Sequence, residues 1–248
     1  MFDIPKRFET NLDIKLKDFI PMELSPNDKR RIREATRSVK MTYQIAGEEI
    51  PSLVNDEYRC QVIQFYEIEL ESIKDANFIA SVYQSLIKPL CVMRFYDSKE
   101  EEYSFADKRL SQTEENQIVV EDAYISQKYP YGLPGEGIGQ YLEYLSFDKV
   151  KNKTDKLSFY REWMYKVYLL EHRAAFNYVE LILRDNAWYS AARAATIYQK
   201  YVELVRAREA VSKAQINAEK IKANKEVKAA KEALEKEFQT GGYLYGQD

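Results

Sequence analysis

Between Gly139 and Gly241 the chain contains neither glycine nor proline, and all seven prolines fall at or before Pro134. These two residues are the strongest local interrupters of regular structure. A chain punctuated in one half and uninterrupted in the other must fold in two regimes. The first half reads as mixed α/β, the second as long helix. The expected organisation is an α/β domain over 1–135 and a glycine-containing junction over 136–153. A helical hairpin with a coiled-coil arm follows over 154–240, then a tail over 241–248. With 248 residues, 45% of them hydrophobic, the chain can build a sizeable core and lacks the composition of a disordered one.

In the first half, "LSPNDKRRIREATRSV" offers Ser25 as N-cap, Pro26 at the first helical position and Asp28 at the third, predicting a helix from about 26 to 39. "KMTYQIAG" reads as a short strand. The strongest strand pattern covers about 57 to 71, where apolar residues alternate with Arg59, Gln61, Glu67, Glu69 and Glu71. Asp75 precedes a helix with an apolar stripe of Phe78, Ile79, Val82, Leu86 and Ile87. "PLCVMRFYD", a polar turn with its hairpin partner, and "NQIVVEDAYI" complete the strands. The predicted order is helix, strand, strand, helix, strand, strand, strand, an α+β arrangement.

In the second half, Tyr160, Met164, Val167, Ala174, Tyr178 and Leu181 recur at helical spacing over about 155–184. Asp185 and Asn186 can stop that helix and cap the next. The second helix is expected to run to about Phe238. Fifty helical residues span roughly 75 Å, so its first part is expected to pair back on the first helix as an antiparallel hairpin. The alanine-rich remainder, with Ile216, Ile221, Val227, Leu234 and Phe238 as its sizeable apolar anchors, is expected to project as an arm or to pack on a partner.

Most catalytic signatures are absent. Cys60 and Cys91 sit in apolar runs without metal-ligand spacing and read as buried thiols of a reducing compartment. His172 has no catalytic companions by motif. Gly137-Ile138-Gly139 lacks the third glycine of a dinucleotide fingerprint, since Leu142 stands there. No secretory leader pattern opens the chain and no apolar run approaches the ~20 residues of a membrane helix, so a cytoplasmic location without membrane partners is expected.

Two features stay open. Glu67, Glu69 and Glu71 share one strand face. With Asp56 they could form the Mg²⁺ site of a PD-(D/E)xK-like nuclease, with Glu71 where a lysine is usual. The alternative is the wet face of a sheet, with no metal and no cofactor, and with Arg94, Lys74 or Lys88 close by to offset the repulsion. The second feature is the lysine-rich stretch 213–231, with Lys213, Lys220, Lys222, Lys225, Lys228 and Lys231 against Glu219 and Glu226. A helix so charged could follow phosphates or hold a partner.

The segments "LSPNDKRRIREATRSVKMTYQIA", "QVIQFYEIELES", "PLCVMRFYD" and "ILRDNAWYSAARAATIYQKYVELV" resemble a bacterial domain-of-unknown-function family, numbered four-three-nine-one. That resemblance implies a location near helicase and DNA-methyltransferase genes of restriction-type or phage-defence loci, and no catalytic residue. The expected function is therefore a non-enzymatic accessory protein. It would bind a partner, such as a helicase or methyltransferase subunit, through Arg193, Lys200, Arg206, Arg208, Lys213, Lys220, Lys222 and Lys225. Trp188 and Tyr189 would anchor the hairpin turn. Non-specific DNA and a second copy of the chain are further expected partners. A coiled-coil subunit of a larger assembly is the remaining alternative.

Overall fold

A computed structural model describes residues 2–114, 117–133 and 136–239. The expected tail over 241–248 lies outside the described residues. The chain is mixed α/β and forms two compact units, Met1–Met164 and Tyr165–Asp248.

The first unit is built on a mixed sheet. Its strands are β1 (Glu9–Asp13), β2 (Thr36–Ile45), β5 (Ile63–Leu70), β6 (Leu90–Tyr96), β7 (Glu100–Leu110) and β8 (Ile118–Ile125), in that spatial order, with β9 (Tyr129–Pro130) also paired to β7. A separate two-stranded sheet pairs β3 (Leu53–Val54) with β4 (Arg59–Cys60). Only β5 and β6 run parallel among the pairings of the main sheet, and α3 (Ala76–Leu86) is the crossover that such a pair requires.

Helices α1 (Leu16–Phe19), α2 (Pro26–Ala35) and α3 belong to one apolar cluster with one side of the sheet. Val39, Met41, Tyr66, Ile68, Leu70, Cys91, Met93 and Phe95 join Ile32, Ile79 and Tyr83 there. Ser25 caps α2 as its sequence predicts, accepting from the Asp28 amide at 3.2 Å. The helix ends at Ala35, however, and residues 36–39 open β2 instead of continuing the helix. Val39 is buried there by the sheet, which outweighs the local helix preference of the charged run before it.

The opposite side of the sheet carries an aromatic core. The short helical segments Gly137–Tyr141, α4 (Leu142–Leu145) and Phe147–Lys149 occupy the stretch expected as a junction. The first turns of α5 (Lys156–Glu171) follow. Trp163 is fully buried, meets the rings of Phe2, Phe65 and Phe159 at 4.5–5.5 Å, and donates from Nε1 to the Leu145 carbonyl at 2.7 Å. Tyr160 belongs to this core, not to a seam with the second long helix. Lys156, buried, donates to the Gly47 and Ile50 carbonyls at 2.8 and 2.6 Å and so ties down the loop before β3.

In the second unit the helical residues of α5 beyond Met164 end at Glu171. A 3₁₀ turn (Arg173–Ala175), α6 (Val179–Arg184) and a 3₁₀ turn (Asn186–Tyr189) return the chain to α7 (Ala191–Lys213). The expected uninterrupted helix to residue 184 is thus broken, and Tyr178 and Leu181 of its proposed seam are exposed. The helix ends at Glu171 without glycine or proline, and Phe176, extended and with its ring buried, closes the 3₁₀ turn that follows. Tyr165 stacks on Tyr198 at 4.0 Å and Tyr201 donates to the His172 carbonyl at 2.9 Å. These contacts advance in the same sense along both segments, so α5 and α7 do not form the expected antiparallel hairpin.

The antiparallel hairpin lies one step later. The helix expected to run to Phe238 stops at Lys213, and α8 (Asn217–Gln239) folds back on α7. Lys200 pairs with Glu237 at 3.5 Å, and a groove between the two helices is lined by Ala207, Ala210, Ala229, Ala230 and Ala233. Ala223, Val227, Ala230 and Leu234 recur at steps of four, three and four, and Ala223 and Leu234 are buried. The projecting arm is therefore a correction: small residues let α8 approach α7 closely, and Leu234 locks it. The Gln215 amide bonds to the Glu219 carboxylate at 3.1 Å, which stabilises the start of α8.

Glu102 on β7 is buried, and its Oε1 has no hydrogen-bond partner among the described residues. Burial pushes its carboxyl up to about 7, against the pull of Lys128 and with the push of Glu100. A group whose folded-state pKa is raised stabilises the fold while protonated and loses that contribution as pH climbs towards 7. Glu102→Gln should therefore raise the unfolding free energy by about 2 kcal/mol at pH 8 and leave it nearly unchanged at pH 4.5. Urea titrations at the two pH values measure the difference.

Candidate functional site

The acidic row is the cluster that sequence reasoning singles out, and its geometry follows from strand alternation. Tyr66, Ile68 and Leu70 face the helices, so Phe65, Glu67 and Glu69 face the other way. Phe65 meets Trp163 edge-on at 5.5 Å within the aromatic core. Beyond it the row is progressively more open, with side-chain exposure of 27% at Glu67, 36% at Glu69 and 54% at Glu71.

Arginines answer these carboxylates. Arg94, opposite Glu67 in the parallel register, donates from Nη1 to Glu67 at 3.0 Å and from Nε to Glu101 Oε2 at 3.0 Å, with a second bond from Nη2 to Glu101. Glu101 is nearly buried and also accepts from the Tyr103 hydroxyl at 2.9 Å. The Arg94 guanidinium lies 5.4 Å from the rings of both Tyr96 and Tyr131, which stack on each other at 4.8 Å. Burial opposes its charge, but Tyr103, Glu101 and Glu67 outweigh that and raise its pKa. Gly137, at φ +66°, closes over this network. A Cβ there would lie 3.2 Å from both Glu101 Oε1 and the Tyr129 Cβ. That close approach accounts for the glycine without any phosphate cradle.

Arg37 serves the outer pair. It bonds Glu71 at 2.7 Å and lies 3.7 Å from Glu69, which also accepts from Ser38 at 3.1 Å. Its hydrogen bond to Glu71 holds that carboxyl below its ordinary value. Arg37 escapes a sequence reading that runs α2 to residue 39. The irregularity in register between Thr36 and Ser38 is what re-aims it. Of the cations expected nearby, Arg94 is present and Lys88 lies at the other end of β5, in a separate pocket.

The nuclease expectation meets a geometric correction here. Asp56 sits exposed in the turn between β3 and β4, where Asn55 caps the Glu57 and Tyr58 amides. Among the described residues, no three His, Cys, Asp or Glu side chains converge to a metal's reach. Glu67, Glu69 and Glu71 are each paired with arginine and do not converge on one point, so the donor set does not fit Mg²⁺. Cys60 and Cys91 are free and buried, and burial pushes the Cys60 thiol up to about 12. His172 stacks on Tyr168 at 4.2 Å, with Nδ1 2.9 Å from the Tyr168 carbonyl oxygen.

The expected contact residues of the second unit separate into two groups. Lys200 is engaged by Glu237, Arg193 lies 3.9 Å from Asp185, and Lys213 pairs with Glu209 at 3.2 Å. Arg206, Arg208, Lys220, Lys222 and Lys225 are exposed, and among the described residues no acid lies within ion-pair reach of them. Trp188 is not a surface anchor: it is fully buried and donates to the Ile182 carbonyl at 2.7 Å. Tyr189 beside it is exposed. Ile216 and Ile221, expected as anchors of the arm, are left at the surface. Both are more than half exposed, at the α7–α8 turn and in the first turns of α8.

Truncating Arg94 should leave Glu101 buried and uncompensated. Arg94→Leu is expected to cost about 3–5 kcal/mol in urea unfolding. Glu71→Gln, at an exposed pair, should leave the urea midpoint where it is.

A family model described as "Domain of unknown function (DUF4391)" matches residues 2–234. No curated protein and no solved structure matches the chain. No helix among the described residues is long and apolar enough to cross a membrane. The match covers the sheet, the arginine-answered acidic row and nearly all of the α7–α8 hairpin, and on that coverage the chain belongs to the DUF4391 family.

Proposed function

We propose that this chain is a non-enzymatic accessory protein of a bacterial defence or restriction-like system. It holds a partner protein, of the helicase or methyltransferase kind, through the tip of its α7–α8 hairpin. The defence setting rests on the resemblance described above. The single observation that carries the binding reading is the charge distribution of the hairpin. Near its far end, Lys228, Lys231 and Lys200 are matched by Glu232, Glu235 and Glu237. Nearer the turn Lys213 is matched by Glu209, but Arg208, Lys220, Lys222 and Lys225 have no ion-pair partner among the described residues, and neither has Arg206 at mid-hairpin. Like charges left together repel, and an acidic surface relieves that repulsion.

Ile216 and Ile221 add an apolar centre to this cationic ring, the anatomy of a protein-binding patch more than of a phosphate track. The coiled-coil assembly reading loses its main support, because α7 already covers the Ala223–Leu234 seam of α8. The nuclease reading is less favoured, because no three acids converge among the described residues.

The test is co-purification of the full chain from its native cells, with and without nuclease treatment. It compares wild type with Lys220→Glu/Lys222→Glu/Lys225→Glu and with Ile216→Ser/Ile221→Ser. Capture of a helicase or methyltransferase subunit should survive nuclease and fall at least tenfold in both variants. Capture that disappears with nuclease would make DNA the ligand. In that case duplex affinity should fall linearly on a log–log salt plot, with a slope about 2.7 smaller in the triple-lysine variant. Capture unchanged by either variant would sink the reading.

A further inference from the structure

The β6–β7 ladder stops short. Pairing runs from Tyr96 with Glu101 to Met93 with Ser104, and the strands then part, although β6 begins at Leu90 and β7 continues to Leu110. The Tyr160 hydroxyl fills the start of the gap, accepting from the Ala106 amide at 2.7 Å and donating to the Cys91 carbonyl at 3.0 Å. Lys108 fills the next part. Its ammonium donates to the Ile87 and Pro89 carbonyls at 2.8 and 3.2 Å. What remains of the gap is a cavity of about 170 Å³. It is walled by Arg59–Val62, Lys88–Leu90, Lys108–Leu110 and Ile118.

Four of these residues are cationic and none is acidic. Arg109 is answered by Glu121 at 2.8 Å. Arg59, Lys88 and Lys108 have no carboxylate within ion-pair reach among the described residues. The carbonyls at the end of α3 account for Lys108, but neither they nor Glu121 account for Arg59 on β4 or for Lys88 ahead of β6. Two cations without an ion-pair partner, Arg59 and Lys88, thus line one cavity together with Lys108 and Arg109, a positive lining that favours an anion.

We propose that this cavity is an anion site for a phosphate monoester, held by Arg59 and Lys88 at the rim with Arg109 alongside. A phosphate monoester carries about −1.5 to −2 charge at pH 7, closer to the two unpaired cations, Arg59 and Lys88, than the single charge of a carboxylate. The volume equals about six waters at roughly 30 Å³ each, room for a phosphoryl group and a few attached atoms. Val62, Pro89, Leu90, Leu110 and Ile118 supply an apolar wall for the ester's carbon side. Burial lowers the proton affinity of Lys108, and a bound dianion would restore it. The site lies in the first unit and is independent of the hairpin tip, so either can fail without the other.

The test is isothermal titration of the full chain with inorganic phosphate, and anisotropy with one labelled oligonucleotide carrying or lacking a 5′-phosphate. Arg59→Ser/Lys88→Ser alters two exposed side chains and spares the fold. Lys220→Glu/Lys222→Glu/Lys225→Glu serves as the hairpin control. Saturable 1:1 phosphate binding is expected, at least tenfold weaker in the Arg59/Lys88 variant and unchanged in the hairpin control. A 5′-phosphate that tightens oligonucleotide binding only when Arg59 and Lys88 are present assigns the monoester to a nucleic-acid end. Equal oligonucleotide affinities beside saturable inorganic phosphate binding assign it to a free small molecule. Absence of saturable binding by both phosphate probes, or binding that the Arg59/Lys88 variant leaves intact, overturns the site.

Discussion

The parting of β6 from β7 is the constraint on which the first unit turns. A sheet that opens leaves backbone groups without ladder partners, and buried backbone groups must be satisfied. Tyr160 does this from α5, reaching across to the Ala106 amide and the Cys91 carbonyl. Gln84 does it from α3, donating to the same Cys91 carbonyl and to Ser104. One opening is thus closed from both faces of the sheet, and the elements that close it are fixed in place by doing so. The ring of Tyr160 then lies 6.1 Å from Phe105, continuous with the Trp163 cluster. A single side chain joins the hydrogen-bond accounting of the sheet to the packing of its aromatic core.

Charge on β5 is sorted by position along the strand. At its carboxyl half Glu67 and Glu69 are answered by Arg94 and Arg37. Before its amino end the cavity walls are basic. Arg94 is the more consequential of the two arginines because it is the more buried, and because Glu101 beneath it is nearly closed off by the Gly137 turn. In so desolvated a setting a guanidinium fork between two carboxylates fixes geometry as much as it stabilises. The arrangement is a structural clasp of the sheet's second face, with its acceptors already engaged.

In the helical unit, aromatic stacking and alanine spacing divide the work. Tyr165, Tyr168, Tyr198 and Tyr201 hold α7 to the end of α5 through rings in contact. Alanines on α7 and α8 instead allow two backbones to approach, with Leu234 as a large buried anchor on α8. The result buries the far half of α8 more than its start. Cations and exposed isoleucines are left concentrated at the turn.

Much of this was legible in the sequence, and the boundary is physical. The Ser25-Pro26 cap, the alternation through β5, the stripe of α3, the buried cysteines and the two regimes on either side of Gly139 are local patterns, and each stands where residue type and spacing put it. The breaks between Glu171 and Phe176 and at Ala214 carry no glycine or proline, so nothing in the chain's punctuation announces them. They exist because a buried ring in one case and a returning alanine seam in the other stabilise the folded-back chain beyond what helix continuation would give. Arg37 was hidden behind a helix end misplaced by four residues, and Trp188 was expected as a contact anchor because residue type at a turn does not show the burial that the fold gives it. The sequence alone determined which residues could alternate, cap or stripe. Which charges meet, where β6 leaves β7, and which way α8 turns were decided only by tertiary packing, because each depends on the summed burial of residues that are distant in the chain.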